Sequence, residues 1–465
     1  MHQFKQTSTL PVNVKTCFKW HEQAGALERC IPPWEHVQVI KRTGSIQPGG
    51  SVELIIHPGG IPLKWISHHI EYERNVFFKD IQFKGPFKSF SHTHNFYREK
   101  KDTASTLVDD IRYELPGGPI GNLFHHSIHR QLEQSFRYRH HMLYHDLAMH
   151  QQAPPQPLTI RISGASGLIG QNLVPFLTTG GHRVIKLVRC PPSGQDELYW
   201  NPGKNELDLS TLDQIDAVIN LSGENIGEGR WTVAKKKKII DSRMQTTRLL
   251  VKKIQERSQK PQVFLSSSAI GYYGNRGLDE MSETSVKGDD FISDVCDSWE
   301  KEALKAADDM RVVTLRIGVV LTPKGGALAR LLTPAKFGLG GPLGHGRQII
   351  SWISMNDLIY SFHHCLFHTE ITGPINLTGP NPVSNRHLAQ VLGKKLKRPS
   401  FLPIPAKVIT LAFGQMGKEI PLASTAALPE KLIQTGFHFS HATVDTALNY
   451  LIGTIPLDHN HDQKI

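Results

Sequence analysis

Hydrophobic and polar residues alternate along much of the first 115 positions, which is typical of half-buried β-strands. The alternating runs lie at residues 36–40, 51–57, 65–72, 77–84, 91–98 and 106–115, and glycine pairs separate several of them. Between residues 119 and 147 the apolar residues recur three, four or seven positions apart; they are Ile120, Leu123, Phe124, Ile128, Leu132, Phe136 and Leu143. That spacing predicts one long helix whose apolar face lies across an antiparallel sheet.

A polar, proline-rich stretch at 151–157 ends this region. Proline can neither continue a helix nor pair in a central strand, so we interpret 151–157 as a linker after a first domain at 1–150. From residue 158 onward, short runs rich in β-branched residues alternate with segments of helical spacing. This alternation predicts an α/β domain with a doubly wound parallel sheet.

Three glycines follow the first strand of this second region, at the point where a helix begins. Gly164 permits a tight turn, Gly167 lets a phosphate approach the backbone, and Gly170 lets helix and strand pack closely. Unpaired N–H groups at the start of the helix favour an anion. We therefore expect the turn to hold the diphosphate of a dinucleotide, with further contacts from Ser166, Leu168 and Ile169.

The second strand of the region, at 183–188, ends at Arg189. Dinucleotide sites place the group that contacts the adenosine ribose about twenty residues beyond the glycines. A carboxylate there would repel a 2′-phosphate, whereas a guanidinium pairs with it. The sequence therefore predicts NADP(H) rather than NAD(H).

Later strands end in residues that we expect at the same edge of the sheet, because ligands of doubly wound sheets bind at the carboxyl ends of the strands. The candidates for contact with the cofactor or substrate are Leu221, Ser222, Gly223, Ser268, Tyr272, Tyr273 and Arg316.

Several stretches resemble the short-chain dehydrogenase/reductase superfamily, in its extended or atypical epimerase-like branch. They are 220–226 (NLSGENI), 338–344 (GLGGPLG), 352–358 (WISMNDL) and 436–439 (GFHF). The resemblance implies a Rossmann domain that binds NADP(H) at 158–402 and a small C-terminal helical module of unknown function at 403–465. In that module, relatives carry a Gln-Arg/Lys-Val run where this chain has Thr425, Ala426 and Ala427.

The chemistry of this superfamily uses a serine, a tyrosine and a lysine, with the tyrosine acting as acid and base. Ser268 matches the serine, but Ile292 and Cys296 stand at the positions of the tyrosine and lysine. In one interpretation Tyr272 or Tyr273 supplies the phenol from another direction; in the other, both are walls around the nicotinamide or substrate. Ser268 and these two tyrosines are the catalytic candidates.

The first domain resembles the START-like polyketide cyclase and lipid-binding superfamily over roughly residues 1–147. The resemblance lies in 32–35 (PPWE), 85–94 (GPFKSFSHTH) and 113–118 (YELPGG). It implies an α+β helix-grip fold that encloses an apolar ligand, which the sequence does not identify.

Two histidine sets invite a metal interpretation: His92 with His94, which alternate along a strand, and His125, His126 and His129, of which the first and last are one helical turn apart. We predict no metal site, because no carboxylate or cysteine completes either set in the sequence. Asp357 likewise is interpreted as a residue at a helix start rather than a proton carrier.

Composition argues against several further function classes. The chain has 465 residues and a net charge of +11, but its Lys and Arg are spread along the chain and no nucleic-acid motif accompanies them. The five cysteines include no CxxC pair, which favours a reducing compartment. We find no apolar signal segment and no stretch long enough to span a bilayer, and so expect a cytoplasmic protein.

Three hypotheses about function follow. The first is an NADP(H)-dependent oxidoreductase or epimerase that acts on a small hydroxyl or carbonyl compound. The second is a non-catalytic NADP(H) sensor or scaffold, because Ile292 and Cys296 replace the acid–base pair. In the third, the first domain binds a lipid-like or aromatic ligand and delivers it to the nucleotide domain.

Overall fold

The computed structural model describes residues 1–154, 156–207 and 214–456, which form two compact units. The first unit contains residues 1–153, 178–181 and, toward the end of the chain, 449–456. The second contains the described residues of 154–177 and 182–448. Within the described residues, no helix has both the length and the hydropathy needed to cross a membrane.

A seven-stranded antiparallel sheet forms the first unit. Its strands are β1 (His2–Leu10), β2 (Val37–Thr43), β3 (Ser51–Ile56), β4 (Leu63–Glu73), β5 (Phe77–Lys84), β6 (Ser89–Arg98) and β7 (Ser105–Glu114). Their order is β1-β7-β6-β5-β4-β3-β2, so β2 to β7 form a meander and β1 pairs with β7. The six predicted strands are confirmed. The sequence missed β1 because only Phe4 and Leu10 of its nine residues are buried.

Four helices accompany this sheet: α1 (Val14–Glu22), α2 (Ala26–Cys30), α3 (Gly118–Asn122) and α4 (His125–Gln151). The prediction of one continuous helix over 119–147 is wrong at its start. Hydrogen bonds from Leu123 to Ile120 and from Phe124 to Gly121 make a tight turn that ends α3, and the apolar stripe is broken there. The side chains of Ile120, Leu123 and Phe124 are consequently exposed, whereas Phe136 further along α4 is buried.

The strands of the second unit are β8 (Thr159–Ser163), β9 (Arg183–Val188), β10 (Glu197–Asn201), β11 (Glu206–Leu207), β12 (Ala217–Asn220), β13 (Val263–Ala269), β14 (Glu280–Met281), β15 (Arg311–Ile317), β16 (Val319–Leu321), β17 (Ile349–Ile350), β18 (Trp352–Ser354), β19 (Gly373–Leu377), β20 (Val383–Ser384) and β21 (Ala426–Ala427). The main sheet has the order β11-β10-β9-β8-β12-β13-β15-β19. Adjacent strands of this sheet are parallel, except that β10 and β11 pair antiparallel. This confirms the predicted Rossmann sheet and places its switch point between β8 and β12.

The helices of this part of the chain are α5 (Gly170–Thr179), α6 (Val233–Gln255), α7 (Phe291–Leu304), α8 (Gly326–Lys336), α9 (Met355–Phe367), α10 (Asn385–Leu396), α11 (Ala406–Phe413), α12 (Gln415–Glu419), α13 (Glu430–Gln434) and α14 (Val444–Ile452). Asp357 lies buried in the first turn of α9, but the cap itself is Ser354, whose Oγ accepts the Asp357 N–H at 3.0 Å.

The segment from Thr425 to Ala427 contains a short strand of the second unit. Ala426 and Ala427 pair in parallel with β14. The Thr425 hydroxyl donates to the Gly274 carbonyl at 2.7 Å, and the Ala427 N–H donates to Ser351 Oγ at 2.7 Å. All three residues of the segment are buried.

Candidate dinucleotide site

The turn between β8 and α5 is shaped by its glycines. Gly164 has a φ of +74°, in the left-handed region that favours glycine, and a Cβ on it would come within 2.9 Å of the Leu221 backbone. A Cβ on Gly170 would lie 2.6 Å from backbone atoms of Gly164 and Ala165. A Cβ on Gly167 would lie 3.2 Å from the Gly164 carbonyl oxygen. Gly164 and Gly170 therefore have to be glycines for the turn to pack closely between the end of β12 and the start of α5.

The residues between these glycines reach the surface at the start of α5. Ser166 and Gly167 are exposed, and Leu168 and Ile169 are half-buried. The first N–H groups of a helix have no partner within it, and together with the helix dipole they attract anions. Leu168 packs toward the loop before α8, where a Cβ on Gly325 would be 3.0 Å from Leu168 Cδ1. This arrangement suits a phosphate at the turn.

Arg189 follows β9 directly and leaves the sheet at the same edge as the glycine turn. Leu187 of β9 pairs with Ser163 of β8. Arg189 comes two residues after Leu187, and Gly164 comes directly after Ser163, so both leave the sheet at neighbouring points. The Arg189 side chain is exposed. Its positive charge is therefore accessible to a ligand at this edge.

The end of β12 is tied to the end of β8 by a buried amide. The Leu221 N–H donates to the Ser163 carbonyl at 3.1 Å, and the Ser222 N–H donates to Asn220 Oδ1 at 3.2 Å. Asn220 Oδ1 also accepts the Ser163 hydroxyl at 2.8 Å, and its Nδ2 donates to Thr247 at 2.9 Å. Asn220 thus holds the predicted site residue Ser222 at the end of β12 and links it to Ser163 at the end of β8, a role that the sequence did not indicate.

Arg243 of α6 is a basic residue at this edge that the sequence analysis also missed. A Cβ on Gly223 would lie 3.1 Å from Arg243 Cζ, so the guanidinium packs directly against that glycine. Nη1 of Arg243 donates to the carbonyls of Glu224 and Ile239, both at 3.1 Å, and Cζ is 5.0 Å from the centroid of the Trp299 ring. Burial lowers the pKa of Arg243. Only its position in space distinguishes it from the other basic residues of α6.

Ser268 lies in a buried polar network. Its hydroxyl donates to Glu300 Oε1 at 2.6 Å, and Glu300 also accepts Nε and Nη2 of Arg316 at 2.9 and 2.8 Å. All three residues are buried. Burial disfavours the charge of Arg316, but the hydrogen bonds and negative charge of Glu300 outweigh it and raise the pKa of Arg316 above its ordinary value. The role of Arg316 as a cofactor contact therefore stays a prediction, while its pairing with Glu300 is an observed contact.

The two candidate tyrosines differ in accessibility. Tyr273 is completely buried; its hydroxyl donates to Asn376 Oδ1 at 2.7 Å and accepts Arg316 Nη1 at 3.0 Å, and burial raises its pKa to about 12. Tyr272 is partly exposed, and Arg316 Cζ lies 3.5 Å from its ring centroid. Within the described part of the chain, the Tyr272 hydroxyl forms no hydrogen bond. Tyr272 is therefore the phenol that a ligand can reach.

Ile292 and Cys296, which the resemblance places at the positions of the tyrosine and lysine, lie in an apolar cluster. Ile292 and Cys296 of α7 are buried with Trp231 and Met416. A Cβ on Gly271 would be 2.3 Å from Ile292 Cγ2, so this helix packs tightly against the segment that follows β13. Burial raises the pKa of the Cys296 thiol to about 12. Neither side chain carries an acid or base suited to neutral pH.

Comparisons with known sequences match each part of the chain. The profile of the NAD dependent epimerase/dehydratase family matches residues 160–377, that of polyketide cyclase / dehydrase and lipid transport matches 10–136, and a domain of unknown function matches 404–451. An epimerase family protein of Mycobacterium leprae is 36% identical over 292 residues, which are 63% of this chain and 94% of that protein. The human epimerase family protein SDR39U1 is 34% identical over 298 residues, 63% of this chain and 100% of that protein.

The chain belongs to the NAD dependent epimerase/dehydratase family.

Solved structures of epimerase proteins share this architecture. A nucleoside-diphosphate sugar epimerase from Corynebacterium glutamicum has a TM-score of 0.79 and 28% identity, covering 97% of this chain and 90% of its own. The human epimerase family protein SDR39U1 (isoform 2), solved with NADPH, has a TM-score of 0.60 and 32% identity, covering 64% of this chain and 100% of its own. In this member of the epimerase family, a START-like domain precedes the Rossmann domain, as the resemblances implied.

Proposed function

We propose that the second unit binds NADP(H) at the edge formed by the glycine turn, Arg189 and Leu221. The observation that carries the proposal is the turn itself, at the place where Rossmann folds bind a diphosphate. Gly164 and Gly170 leave no room for a Cβ and so allow the tight turn from β8 into α5, and Gly167 between them is exposed. Arg189 supplies an exposed positive charge for a 2′-phosphate. The human relative, whose structure contains NADPH, supports the phosphorylated cofactor.

We also propose that this unit is an oxidoreductase or epimerase. NADP(H) supplies hydride-transfer chemistry when bound. The hydroxyl of Tyr272 transfers the proton to or from a small hydroxyl or carbonyl substrate, because it is the accessible phenol at this edge of the sheet. Arg316 lies against the Tyr272 ring and is held there by Glu300, so it positions the phenol. Ser268 and Tyr273 act through Glu300 and Arg316, which they contact directly.

Nucleotide sugars are the first substrates to test. The Corynebacterium relative, similar over almost the whole chain, is a nucleoside-diphosphate sugar epimerase. A sugar hydroxyl is a group that hydride transfer oxidises to a carbonyl, and epimerisation returns the hydride to the opposite face. The test panel therefore contains nucleotide sugars together with simple carbonyl and hydroxyl compounds.

The test measures NADPH binding by fluorescence and turnover by two readouts on the full-length chain. Absorbance of NADPH follows reduction of carbonyls, and NMR of the sugar follows epimerisation, which consumes no net cofactor. We expect Tyr272→Phe to lower kcat at least ~100-fold while NADPH affinity is unchanged. Tyr97→Phe, at an exposed tyrosine of the first unit, is the control that changes neither. An unchanged kcat in Tyr272→Phe would show that Tyr272 does not take part in the reaction. Absence of NADP(H) binding would refute the whole proposal.

A second candidate is an NADP(H) sensor or scaffold without turnover. The apolar packing of Ile292 and Cys296 favours it, because these residues fill the positions of the acid–base pair of the superfamily. Tight NADPH binding without product from any compound of the panel would support this candidate against the enzyme.

A further inference from the structure

Five buried or half-buried side chains form an Asp–His cluster on the first unit: Asp80, His92, His94, Asp109 and His140. Asp80 of β5 lies directly opposite His92 of β6, and His94 of β6 lies directly opposite Asp109 of β7. Because alternate residues of a strand share a face, the first four side chains project from the same side of three neighbouring strands. His140 reaches the cluster from α4, with Nε2 2.7 Å from Asp109 Oδ2.

The premise on which the sequence analysis rejected a metal at His92 and His94 is therefore wrong. The carboxylates that the sequence did not show beside the pair come from the two adjoining strands. Asp80 is 12 positions before His92 along the chain and Asp109 is 15 positions after His94, so neither spacing is recognisable as a metal motif. Strand pairing brings both carboxylates to the histidines.

Asp109 fixes which nitrogen of each ring carries a proton. His92 Nε2 is 3.1 Å from Asp109 Oδ1, and His94 Nδ1 is 2.7 Å from the same oxygen. A carboxylate only accepts hydrogen bonds, so His92 Nε2 donates its N–H to Asp109 Oδ1. The angle at His94 Nδ1 falls outside hydrogen-bond geometry, but its approach to the same oxygen favours the proton on that nitrogen, since two lone pairs so close would repel. The remaining nitrogens, His92 Nδ1 and His94 Nε2, therefore present lone pairs.

These two lone pairs face the second carboxylate. Asp80 Oδ1 is 3.8 Å from His92 Nδ1 and 4.0 Å from His94 Nε2, and one ligand atom from each of the three residues lies within 4.8 Å of the other two. Atoms bound tetrahedrally to one zinc ion at about 2.0–2.2 Å are about 3.4 Å apart, so only small inward movements are needed. Three acceptors around one point repel one another unless a proton or a metal ion lies between them.

We propose that Asp80, His92 and His94 bind a divalent transition-metal ion, with Asp109 orienting both imidazoles. Two imidazoles and a carboxylate are a ligand set of catalytic zinc and of non-haem iron sites, and both leave positions open for water or substrate. A carboxylate behind each ligating histidine is the usual outer partner in such sites. The first unit thereby gains a polar reactive centre, in contrast to the purely apolar ligand site implied by its fold.

The experiment uses untagged full-length protein stripped with a chelator and titrated with Co²⁺ and Zn²⁺. We expect one ion per chain after gel filtration, with d–d absorption from Co²⁺. His94→Gln and Asp80→Asn should bind at least ~10-fold more weakly, and Asp109→Asn roughly 10- to 100-fold more weakly. His68→Gln is the matched control, because His68 lies on β4 of the same sheet with its ring stacked on Phe83, and it should bind like the wild type.

Two further measurements keep the result independent of folding defects in the variants. Circular dichroism selects the variants that retain the wild-type fold, and X-ray absorption of the zinc-loaded wild type counts its imidazole ligands, two being expected. Failure of the wild type to retain either ion, a spectrum without imidazole, or equal affinity in His94→Gln, Asp80→Asn and His68→Gln would each overturn the proposal.

Discussion

Glu300 and Arg316 form a bidentate ion pair inside the second unit, with oxygen–nitrogen distances of 2.9 and 2.8 Å. Removal of one partner leaves a buried charge without compensation. We therefore expect Glu300→Gln to lower the free energy of unfolding by about 3 kcal/mol. Asp297→Asn, which breaks the more exposed pair with Lys301 on the same helix, should cost less than about 1 kcal/mol. Urea unfolding measures both, and equal losses would contradict a special role for the buried pair.

Selectivity for the cofactor tests the position of Arg189. Arg189→Ala should weaken NADPH binding roughly 10- to 100-fold, since hydrogen bonds to a charged group are worth about 1.5–3 kcal/mol, and should leave NADH binding unchanged. Arg183→Ala is the control, because Arg183 is also exposed but starts the same strand at its opposite end. Fluorescence titration with both cofactors gives the ratio. Equal loss for NADPH and NADH would show that Arg189 does not contact the 2′-phosphate.

The glycine turn can be tested by adding a single methyl group. A Cβ on Gly170 would lie 2.6 Å from the Gly164 carbonyl oxygen, so Gly170→Ala must open the turn. We expect loss of NADPH binding and a decrease of about 1–3 kcal/mol in the free energy of unfolding. Gly194→Ala places its Cβ where no atom lies within 4 Å and should change neither quantity. Normal NADPH affinity in Gly170→Ala would argue against the turn as the diphosphate site.

Acid stability depends in part on Asp357. Burial would raise its pKa, but the contact with His441 and the hydrogen bonds from Ser440 and Ser354 outweigh burial and lower the pKa below its usual value. Because the folded-state pKa is depressed, Asp357 stabilises the fold above its unfolded pKa of about 3.9, and this contribution is lost as the pH falls through the folded value.

We therefore expect Asp357→Asn to be less stable than the wild type at pH 7 by about 1–3 kcal/mol, with the difference shrinking in acid. Urea unfolding at a series of pH values provides the measurement. Asp445→Asn, whose partner Lys395 makes a partly exposed pair, should show little difference at any pH. A gap between Asp357→Asn and the wild type that stays constant down to pH 3 would refute the assignment.

Local patterns predicted the parts of the fold that local forces determine. The six strands of the meander alternate in polarity, and the glycine turn joins a strand to a helix within a few residues. By contrast, β1 is mostly polar and owes its conformation to pairing with β7. The split between α3 and α4 was missed because a tight turn preserves apolar spacing in the sequence while breaking it in space.

The contacts of the candidate sites were harder to predict, because they join residues far apart in the chain. Glu300 reaches Ser268 across 32 positions, and Asn220 reaches Ser163 across 57. Asp80 and Asp109 join His92 and His94 only through strand pairing. Neither propensity nor spacing encodes such contacts, since they arise from the packing of elements that are separately predictable.

The final described residues belong to the core of the first unit. Ile455 is buried with Leu143 and Phe18, and its carbonyl accepts Gln134 Nε2 at 3.0 Å. During synthesis on a ribosome, the opening 153 residues emerge long before Ile455 exists, and the whole second unit must be translated in between. The hydrophobic core of the first unit is therefore completed only after the second unit has been translated. A fragment that ends at residue 153 would lack Ile455 from that core.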